Sequence, residues 1–412
     1  MKAYVEAYGC TLNYGEAREI EDILSGFGWT LVDDEKECDL AVLVSCVVIE
    51  TTERAMLKRV RELSAAPQLI VTGCMATAGK EKAEAIAPRA SFVGPGDYDT
   101  FSRLIARKET AHKRPSRLGR SYSIVPIASG CRGSCSYCIT RLARGDLRSR
   151  PPKMILDSIA KEVADGPREV QLTAQDTAAY GSDIRMSLPE LVRSACEIDG
   201  DFRLRVGMMN PSSAKPILRD LADMFLEKKV FKFMHLPVQS ASDRLLADME
   251  RGYNVADFNE IVRTVRSRVP SLTLSTDIIV GYPGEAPEDH ESNLELIRKT
   301  RPDIVNVTRF SARPGTKAAE AEHPVVGWMA KDRSREITSV RFAVAKELND
   351  GWVGRMATAL ATERGKGKST IARTDEYKQV VVPETLPLGM FYKVEITGAT
   401  PTYLTGRRVA SP

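Results

Sequence analysis

Long apolar runs are missing from this chain. No stretch approaches the roughly 18–20 residues that span a bilayer, so no membrane helix is expected. The start, Met1-Lys2-Ala3-Tyr4-Val5-Glu6, has no apolar secretory segment and reads as a strand, which makes a cytoplasmic protein the expectation. Charge of one sign is also scarce in sum. Lys and Arg number 59 against 55 Asp and Glu, a net charge of +4, too small to specify a nucleic-acid partner alone. Histidine is rarer still, with four in 412 residues. No spaced His or Cys pair completes the four-ligand set that a structural zinc site requires. A chain of this length needs no disulfide framework either.

What is present is an ordinary globular balance, 43% apolar and 28% charged. At roughly 150 residues per domain, two or three domains are expected. The basic residues cluster. Seven Lys or Arg and one acid lie between Arg103 and Arg120, and five basic residues and one acid between Arg141 and Lys153. From Gly351 onward there are nine basic and five acidic residues. Each cluster fits a polyanion contact or a solvated face.

Along the chain, residues 1–105 alternate strand and helix. Lys2–Tyr8, Leu40–Ser45, Leu69–Thr72 and Ser91–Val93 read as strands, and Glu16–Gly26 and Thr51–Ala65 as helices. This is the pattern of a doubly wound α/β domain. Residues 106–120 read as a basic linker. A second βα series fills 121–348, with strands expected at Tyr122–Ile127, Glu169–Ala174, Phe202–Met208, Phe233–Val238, Leu272–Val280 and Ile304–Arg309. Six parallel strands with intervening helices suggest a partial (β/α)6 barrel, whose site should lie at the strand C-terminal ends. Trp328–Leu348 reads as a helix. Residues 349–412 then change to short, glycine-punctuated alternating segments, Met356–Thr362, Lys378–Val382, Tyr392–Thr397 and Leu404–Ala410, as in a small OB-like β-barrel.

The cysteines carry the chemistry. Cys131, Cys135 and Cys138 form CxxxCxxC directly after an expected strand. Three thiolates on such a loop can hold three irons of a [4Fe–4S] cluster, leaving the fourth open to a chelating ligand. The amino and carboxylate groups of S-adenosylmethionine (SAM) are such a chelate. Zinc in an RNA-binding module is the competing assignment. Cys10, Cys46 and Cys74 follow the ends of three separate strands, where ligands gather in open α/β sheets. They are expected to converge and hold a second cluster. Cys38 and Cys196 are left over and read as structural.

These segments together resemble the radical SAM methylthiotransferases, over nearly the whole chain. The resemblance rests on Tyr8-Gly9-Cys10-Thr11-Leu12-Asn13, Thr72-Gly73-Cys74, the CxxxCxxC triad, His235-Leu236-Pro237-Val238-Gln239-Ser240, Thr276–Glu285 and Ser311–Thr316. It implies a radical SAM core in 121–348 and a TRAM domain in 349–412. The segment Arg141–Pro151 resembles the archaeal and eukaryotic branch, which implies N6-threonylcarbamoyladenosine (t6A) at position 37 of tRNA as substrate. Isopentenyladenosine-37 tRNA or a ribosomal-protein aspartate are the alternatives within the family. Ser45-Cys46 departs from the family's Asn-Thr-Cys, so hydrogen bonding around that thiol is expected to differ.

No side chain is assigned as an acid or base, since the resemblance implies that two [4Fe–4S] clusters and SAM carry the reaction. Strand ends nominate Gln175, Asp176, Arg205, Asn210, Gln239, Ser240, Asp277 and Gly281 as SAM contacts. His235, a lone histidine on a strand, reads as a core group. Arg364, Lys366, Lys368, Arg373, Arg407 and Arg408 are nominated for phosphate contacts in the anticodon stem-loop, and Tyr403 for base stacking. An electron donor and a sulfur source are further implied partners.

Overall fold

The structure is a computed structural model, described here for residues 1–106, 122–166 and 168–409. Most of the expected basic linker lies outside the described residues. By compactness the chain divides into two units that interleave along the sequence. The first comprises 1–118, 129–148 and 311–319; the second comprises 119–128, 149–310 and 320–412. This division differs from a cut into consecutive segments, because two short pieces of the middle of the chain fold with the N-terminal part.

The first unit is built on five parallel strands, β1 (Lys2–Ala7), β2 (Thr30–Leu31), β3 (Leu40–Ser45), β4 (Gln68–Gly73) and β5 (Ser91–Phe92), in the order β2-β1-β3-β4-β5. The reversal of direction beside β1 makes the sheet doubly wound. Every residue of β3 is buried, as its unbroken apolar run requires. Strand alternation then sorts the core into two layers. Leu40, Val42, Val44 and Ile70 pack with α1 (Thr11–Gly26) and, further along the chain, α5 (Tyr98–Ile105). Ala41, Leu43 and Val71 pack with α2 (Glu50–Leu63), α3 (Met75–Ala78), α4 (Lys80–Ile86) and α6 (Ile139–Arg144). Helix α6 follows the CxxxCxxC triad, and Ile139 and Ala143 bury its inner face.

The second unit opens with β6 (Tyr122–Pro126). Two short strands, β7 (Ala128–Ser129) and β8 (Arg148–Ser149), pair as a ribbon. Then follow α7 (Pro152–Ala164), β9 (Glu169–Thr173), α8 (Leu188–Cys196), β10 (Arg203–Val206), α9 (Pro211–Ala214), α10 (Leu218–Met224) and β11 (Phe233–His235). The series continues through α11 (Asp243–Asp248), α12 (Val255–Arg268), β12 (Thr273–Val280), α13 (Pro287–Thr300), β13 (Ile304–Arg309) and α14 (Gly327–Asp350). The six long strands form two parallel three-stranded sheets, β6-β9-β10 and β11-β12-β13. An isolated parallel bridge, Leu204 to Val230, joins them into the open (β/α)6 arc expected from the sequence.

The C-terminal part is a closed five-stranded barrel of β14 (Met356–Arg364), β15 (Thr370–Thr374), β16 (Gln379–Val382), β17 (Phe391–Ala399) and β18 (Leu404–Arg408). Closure depends on a parallel pairing of β16 with β18. Its core is Ala359, Ala372, Val380, Val382, Leu386, Val394, Ile396 and Leu404. Strand β15 was not expected from the sequence, because Thr, Ala and Arg in Thr370-Ile371-Ala372-Arg373-Thr374 give a weak apolar signal. A turn at its end sends Tyr377 (φ +64°) into the N-terminal ends of the arc's strands. There its hydroxyl donates to Glu169 at 2.8 Å, and its ring packs against Phe231 and Phe233 with centroids 4.8 and 4.9 Å away.

Candidate functional site

Both cysteine triads lie in the first unit. Cys10 is the residue before α1, Cys46 follows β3, and Cys74 follows β4, so all three stand at the carboxyl edge of one sheet. Two glycines let the backbone close around them. Gly9 has φ +110°, and a Cβ there would stand 2.7 Å from Cys46 Cβ and 2.9 Å from its Sγ. Gly73 has φ +79°, and a Cβ there would fall 2.8 Å from the Ser45 nitrogen and closer still to its carbonyl oxygen. Only glycine fits either position.

Cys10 is exposed, whereas Cys46 and Cys74 are buried, and none forms a disulfide. Burial pushes the Cys46 thiol up and the Cys74 thiol up to about 11, the latter against the pull of the Arg144 guanidinium. Neutral thiols are thus favoured until a metal displaces their protons. Ser45, where the family sequence differs, bonds across the sheet: its hydroxyl donates to the Thr72 carbonyl and accepts from the Met75 N–H at 3.3 Å. Asn13 Nδ2 bonds the carbonyls of Tyr8 (2.7 Å) and Ser45 (2.9 Å), tying the Cys10 and Cys46 turns together.

The CxxxCxxC loop is held just as closely. Gly130 has φ +77°, and a Cβ there would collide with the Asp146 carbonyl. Cys131 N–H donates to the Gly145 carbonyl (3.2 Å), and Gly133 N–H donates to the Cys131 sulfur (3.3 Å). Gly133 therefore supplies a sulfur hydrogen bond as well as loop freedom. Arg141, on α6, donates to the carbonyls of Cys131 (2.9 Å) and Gly133 (3.0 Å). Ala318 N–H donates to the Ser136 carbonyl at 2.9 Å. The three thiols are partly exposed.

Among the described residues, no three His, Cys, Asp or Glu side chains gather tightly enough to ligate one ion. A [4Fe–4S] cube is wider, and each iron takes its own thiolate. The donor chemistry and the glycine cradles of both triads fit such clusters.

In the second unit, most of the nominated strand-end residues already have work in the fold. Asp176 is buried and its carboxylate accepts from the Ala178 and Asn210 N–H groups; burial raises its pKa. Asn210 caps α9 through Ser212 N–H, and Ser240 accepts from Ser242 N–H. Arg205 lies over Phe233 and Tyr377, 5.0 and 5.4 Å from their centroids. The close neighbour of Gly281 (φ +75°) is Ala330 of α14, whose Cβ would lie 2.6 Å from an added Cβ. Gln239 takes a positive φ of +68° while bonding β12 through its backbone. Gln175 differs, because its Oε1 is buried with no hydrogen-bond partner among the described residues. Asp277 binds His235 Nε2 (2.9 Å) and Asn306 Nδ2 (2.7 Å), a three-residue cluster across β11, β12 and β13. Sequence reading missed Asn306 and treated His235 as a plain core group. No local pattern marks Asn306, because its pairing with Asp277 is set by the β12–β13 register.

Comparison with known proteins supplies the context. Residues 2–94 match the model of Uncharacterized protein family UPF0004, 125–297 that of the Radical SAM superfamily, and 352–409 that of the TRAM domain. A probable threonylcarbamoyladenosine tRNA methylthiotransferase of Archaeoglobus fulgidus is 38% identical over 429 residues, covering 100% of this chain and 99% of that protein. The threonylcarbamoyladenosine tRNA methylthiotransferase of Xenopus laevis is 30% identical, over 99% of this chain and 77% of its own length. This chain belongs to the threonylcarbamoyladenosine tRNA methylthiotransferase family. Among solved structures, the radical SAM methyltransferase TsrM of Kitasatospora setae aligns with a TM-score of 0.57 at 16% identity, covering 77% of this chain and 76% of that one. That similarity shows a shared fold. The methylthiotransferase family uses SAM and two [4Fe–4S] clusters. Among the described residues no helix is long and apolar enough to cross a membrane.

In this methylthiotransferase the TRAM barrel carries the residues nominated for RNA. Lys366 and Lys368 are exposed in the β14–β15 turn and form no side-chain ion pair among the described residues. The arginines are engaged. Arg364 donates to the Leu386 carbonyl (2.6 Å), and Arg373 lies 4.9 Å from the Tyr377 ring centroid. Arg407 pairs with Glu395 (2.8 Å) and Arg408 with Glu384 (3.4 Å). Tyr403 is exposed beside Thr400.

Proposed function

We propose that this enzyme converts t6A at position 37 of tRNA into its 2-methylthio derivative. The observation that carries the reading is the full-length match to t6A tRNA methylthiotransferases together with two intact cysteine triads. The target C2–H of adenine is aromatic and has no useful acidity for a side-chain base. When bound, the two clusters and SAM supply the radical chemistry and the methylated sulfur.

The protein's part is to hold and orient. Cys131, Cys135 and Cys138 hold the SAM-binding cluster, on a loop fixed by Arg141 and Gly130. Cys10, Cys46 and Cys74 hold the auxiliary cluster, with Gly9 and Gly73 keeping the site close. Within the second unit, Gln175, whose Oε1 has no hydrogen-bond partner among the described residues, and the Asp277–His235–Asn306 cluster are the side chains we assign to SAM polar groups. Asp176, Asn210 and Ser240 shape the strand ends through their caps. Lys366 and Lys368 neutralise anticodon stem-loop phosphates, which fixes position without reading sequence. An electron donor and a sulfur source complete the reaction from outside the chain.

Nucleoside mass spectrometry of tRNA from a strain lacking the enzyme tests the substrate. Loss of 2-methylthio-t6A is expected, and its persistence refutes the reading. Cys10→Ala should retain 5′-deoxyadenosine formation and lose methylthiolation. A Cys10→Ala enzyme that still modifies tRNA would remove the auxiliary assignment. Anaerobically reconstituted enzyme should carry about eight irons, four for each Cys-ligated cluster.

A further inference from the structure

Arg144 is the most deeply committed charge in the first unit. Its side chain is 0% exposed, and that of its partner Glu16 is 5% exposed. The pair is bidentate, with Nη1 to Oε1 at 2.6 Å and Nη2 to Oε2 at 2.8 Å. Nη2 also donates to Asn13 Oδ1 at 2.9 Å, and Cys10 Sγ lies 3.7 Å from that same oxygen. The guanidinium also acts electrostatically on the Cys74 thiol, drawing its pKa down against the effect of burial. Nε is buried with no hydrogen-bond partner among the described residues.

A salt bridge alone does not explain this placement. A buried ion pair is often no more stabilising than apolar residues of the same volume. This one is aimed at a ligand set. Through Asn13 it touches the Cys10 turn and reaches the carbonyl that precedes Cys46. It also sits on α6, whose N-cap is Cys138 and whose Arg141 holds the CxxxCxxC loop. The Thr77 hydroxyl, one turn past Cys74, donates to the Ala143 carbonyl at 2.8 Å, so the helix end is pinned to the auxiliary side by backbone too.

We propose that Arg144 is a positioning residue for the auxiliary cluster, its fixed positive charge beside Cys74 and Cys10 favouring the reduced form of a cluster held there. This rests on the assignment of Cys10, Cys46 and Cys74 as cluster ligands. A cluster bound by three thiolates is net negative and gains further negative charge on reduction. A guanidinium cannot lose its proton at any working pH, and in a buried site its field is little screened. It therefore raises the midpoint potential of the nearer cluster. The same contacts hold Asn13, and through it the turns that carry Cys10 and Cys46, as outer partners do for metal ligands generally.

The test uses full-length enzyme in which Cys131, Cys135 and Cys138 are replaced by alanine, so that the auxiliary cluster alone is read. Iron content and an EPR-monitored redox titration are measured for Arg144→Lys, Arg144→Gln and the double variant Arg144→Gln/Glu16→Gln. Arg144→Lys should keep the midpoint potential close to that of the parent. Arg144→Gln should shift it negative, with a changed EPR line shape. If Arg144→Gln loses iron because Glu16 is left buried and unpaired, the double variant removes that charge. It should regain iron and still show the negative shift, because it is the guanidinium that bonds the Asn13 oxygen which Cys10 Sγ also approaches. Unchanged potential and line shape in an iron-loaded Gln variant overturn the proposal. Loss of iron from the double variant also overturns it, since Arg144 would then serve folding alone. A parent that binds no iron at all would instead refute the ligand assignment.

Discussion

Gly73→Ala is the most incisive single perturbation of the auxiliary site. The new methyl group meets two separate penalties. A φ of +79° costs an L-residue about 1–2 kcal/mol. The Cβ would also stand 2.8 Å from the Ser45 nitrogen, well inside ordinary contact, so the paired ends of β3 and β4 must separate. Overpacking of this kind costs about 1–3 kcal/mol. The sum is about 2–5 kcal/mol, which at roughly 2–4 °C per kcal/mol lowers Tm by roughly 4–20 °C. Gly96→Ala is the control. Gly96 has φ +76° with nothing within 4 Å of the added Cβ, so it carries the backbone strain alone. Separation of the β3 and β4 ends also displaces Cys46 and Cys74, the residues that follow them. Gly73→Ala should therefore lose iron from the auxiliary site and retain 5′-deoxyadenosine formation. Differential scanning calorimetry, iron analysis and SAM-cleavage assays together decide it. A Gly73→Ala enzyme with full iron and the Tm of Gly96→Ala refutes the close-approach argument.

Arg313→Ala removes one partner of buried Glu53 and leaves only Lys82, at a cost of about 3–5 kcal/mol by chemical denaturation. Burial alone would raise the Glu53 carboxyl, but its bonds to Lys82 and Arg313 hold it below 4.5. Its stabilisation is therefore complete above pH 4.5 and is lost as the pH falls through the lower folded value, and Arg313→Ala should flatten that acid limb. Tyr377→Phe, which loses one hydrogen bond to Glu169, should cost about 0.5–1.5 kcal/mol in urea unfolding, and Tyr377→Ala about 3–5 kcal/mol. Equal costs for the two would remove the ring's role, and a Tyr377→Phe enzyme of unchanged stability would remove the hydroxyl's. Lys366→Ala with Lys368→Ala should weaken tRNA binding and reduce the salt slope by roughly 0.7–0.9 for each phosphate left without its lysine, with SAM cleavage unaffected. A slope equal to that of the parent places those lysines outside the RNA footprint.

The sequence made the strand ends legible because parallel buried strands are unbroken apolar runs. Leu40–Ser45 falls on β3 without adjustment, and Cys10, Cys46 and Cys74 stand where strand boundaries put them. The cluster of Asp277, His235 and Asn306 was half visible, since register between non-neighbouring stretches does not show in a local pattern. Side-chain direction was not legible at all. Arg205 reads as a cation within a strand, nominated for SAM, and proves to lie over Phe233 and Tyr377, the latter in a different domain of the sequence. Arg144 reads as one more basic residue in a cluster, and only the fold shows its charge turned inward onto Glu16. Strand β15 was hidden for another reason: its inward face is Thr370, Ala372 and Thr374, which carry little apolar signal although the barrel buries them.

The interleaving of the first unit also has a meaning in time. A ribosome makes Glu16 128 residues before Arg144, and Glu53 260 residues before Arg313. At about 5–20 residues per second those gaps are roughly 6–25 s and 13–50 s. Through the first interval Glu16 lacks its guanidinium, and through the second Glu53 has Lys82 but not Arg313. A buried charge short of its partner opposes closure, so the sheet edge that carries Cys10, Cys46 and Cys74 packs fully only after the later segments are made.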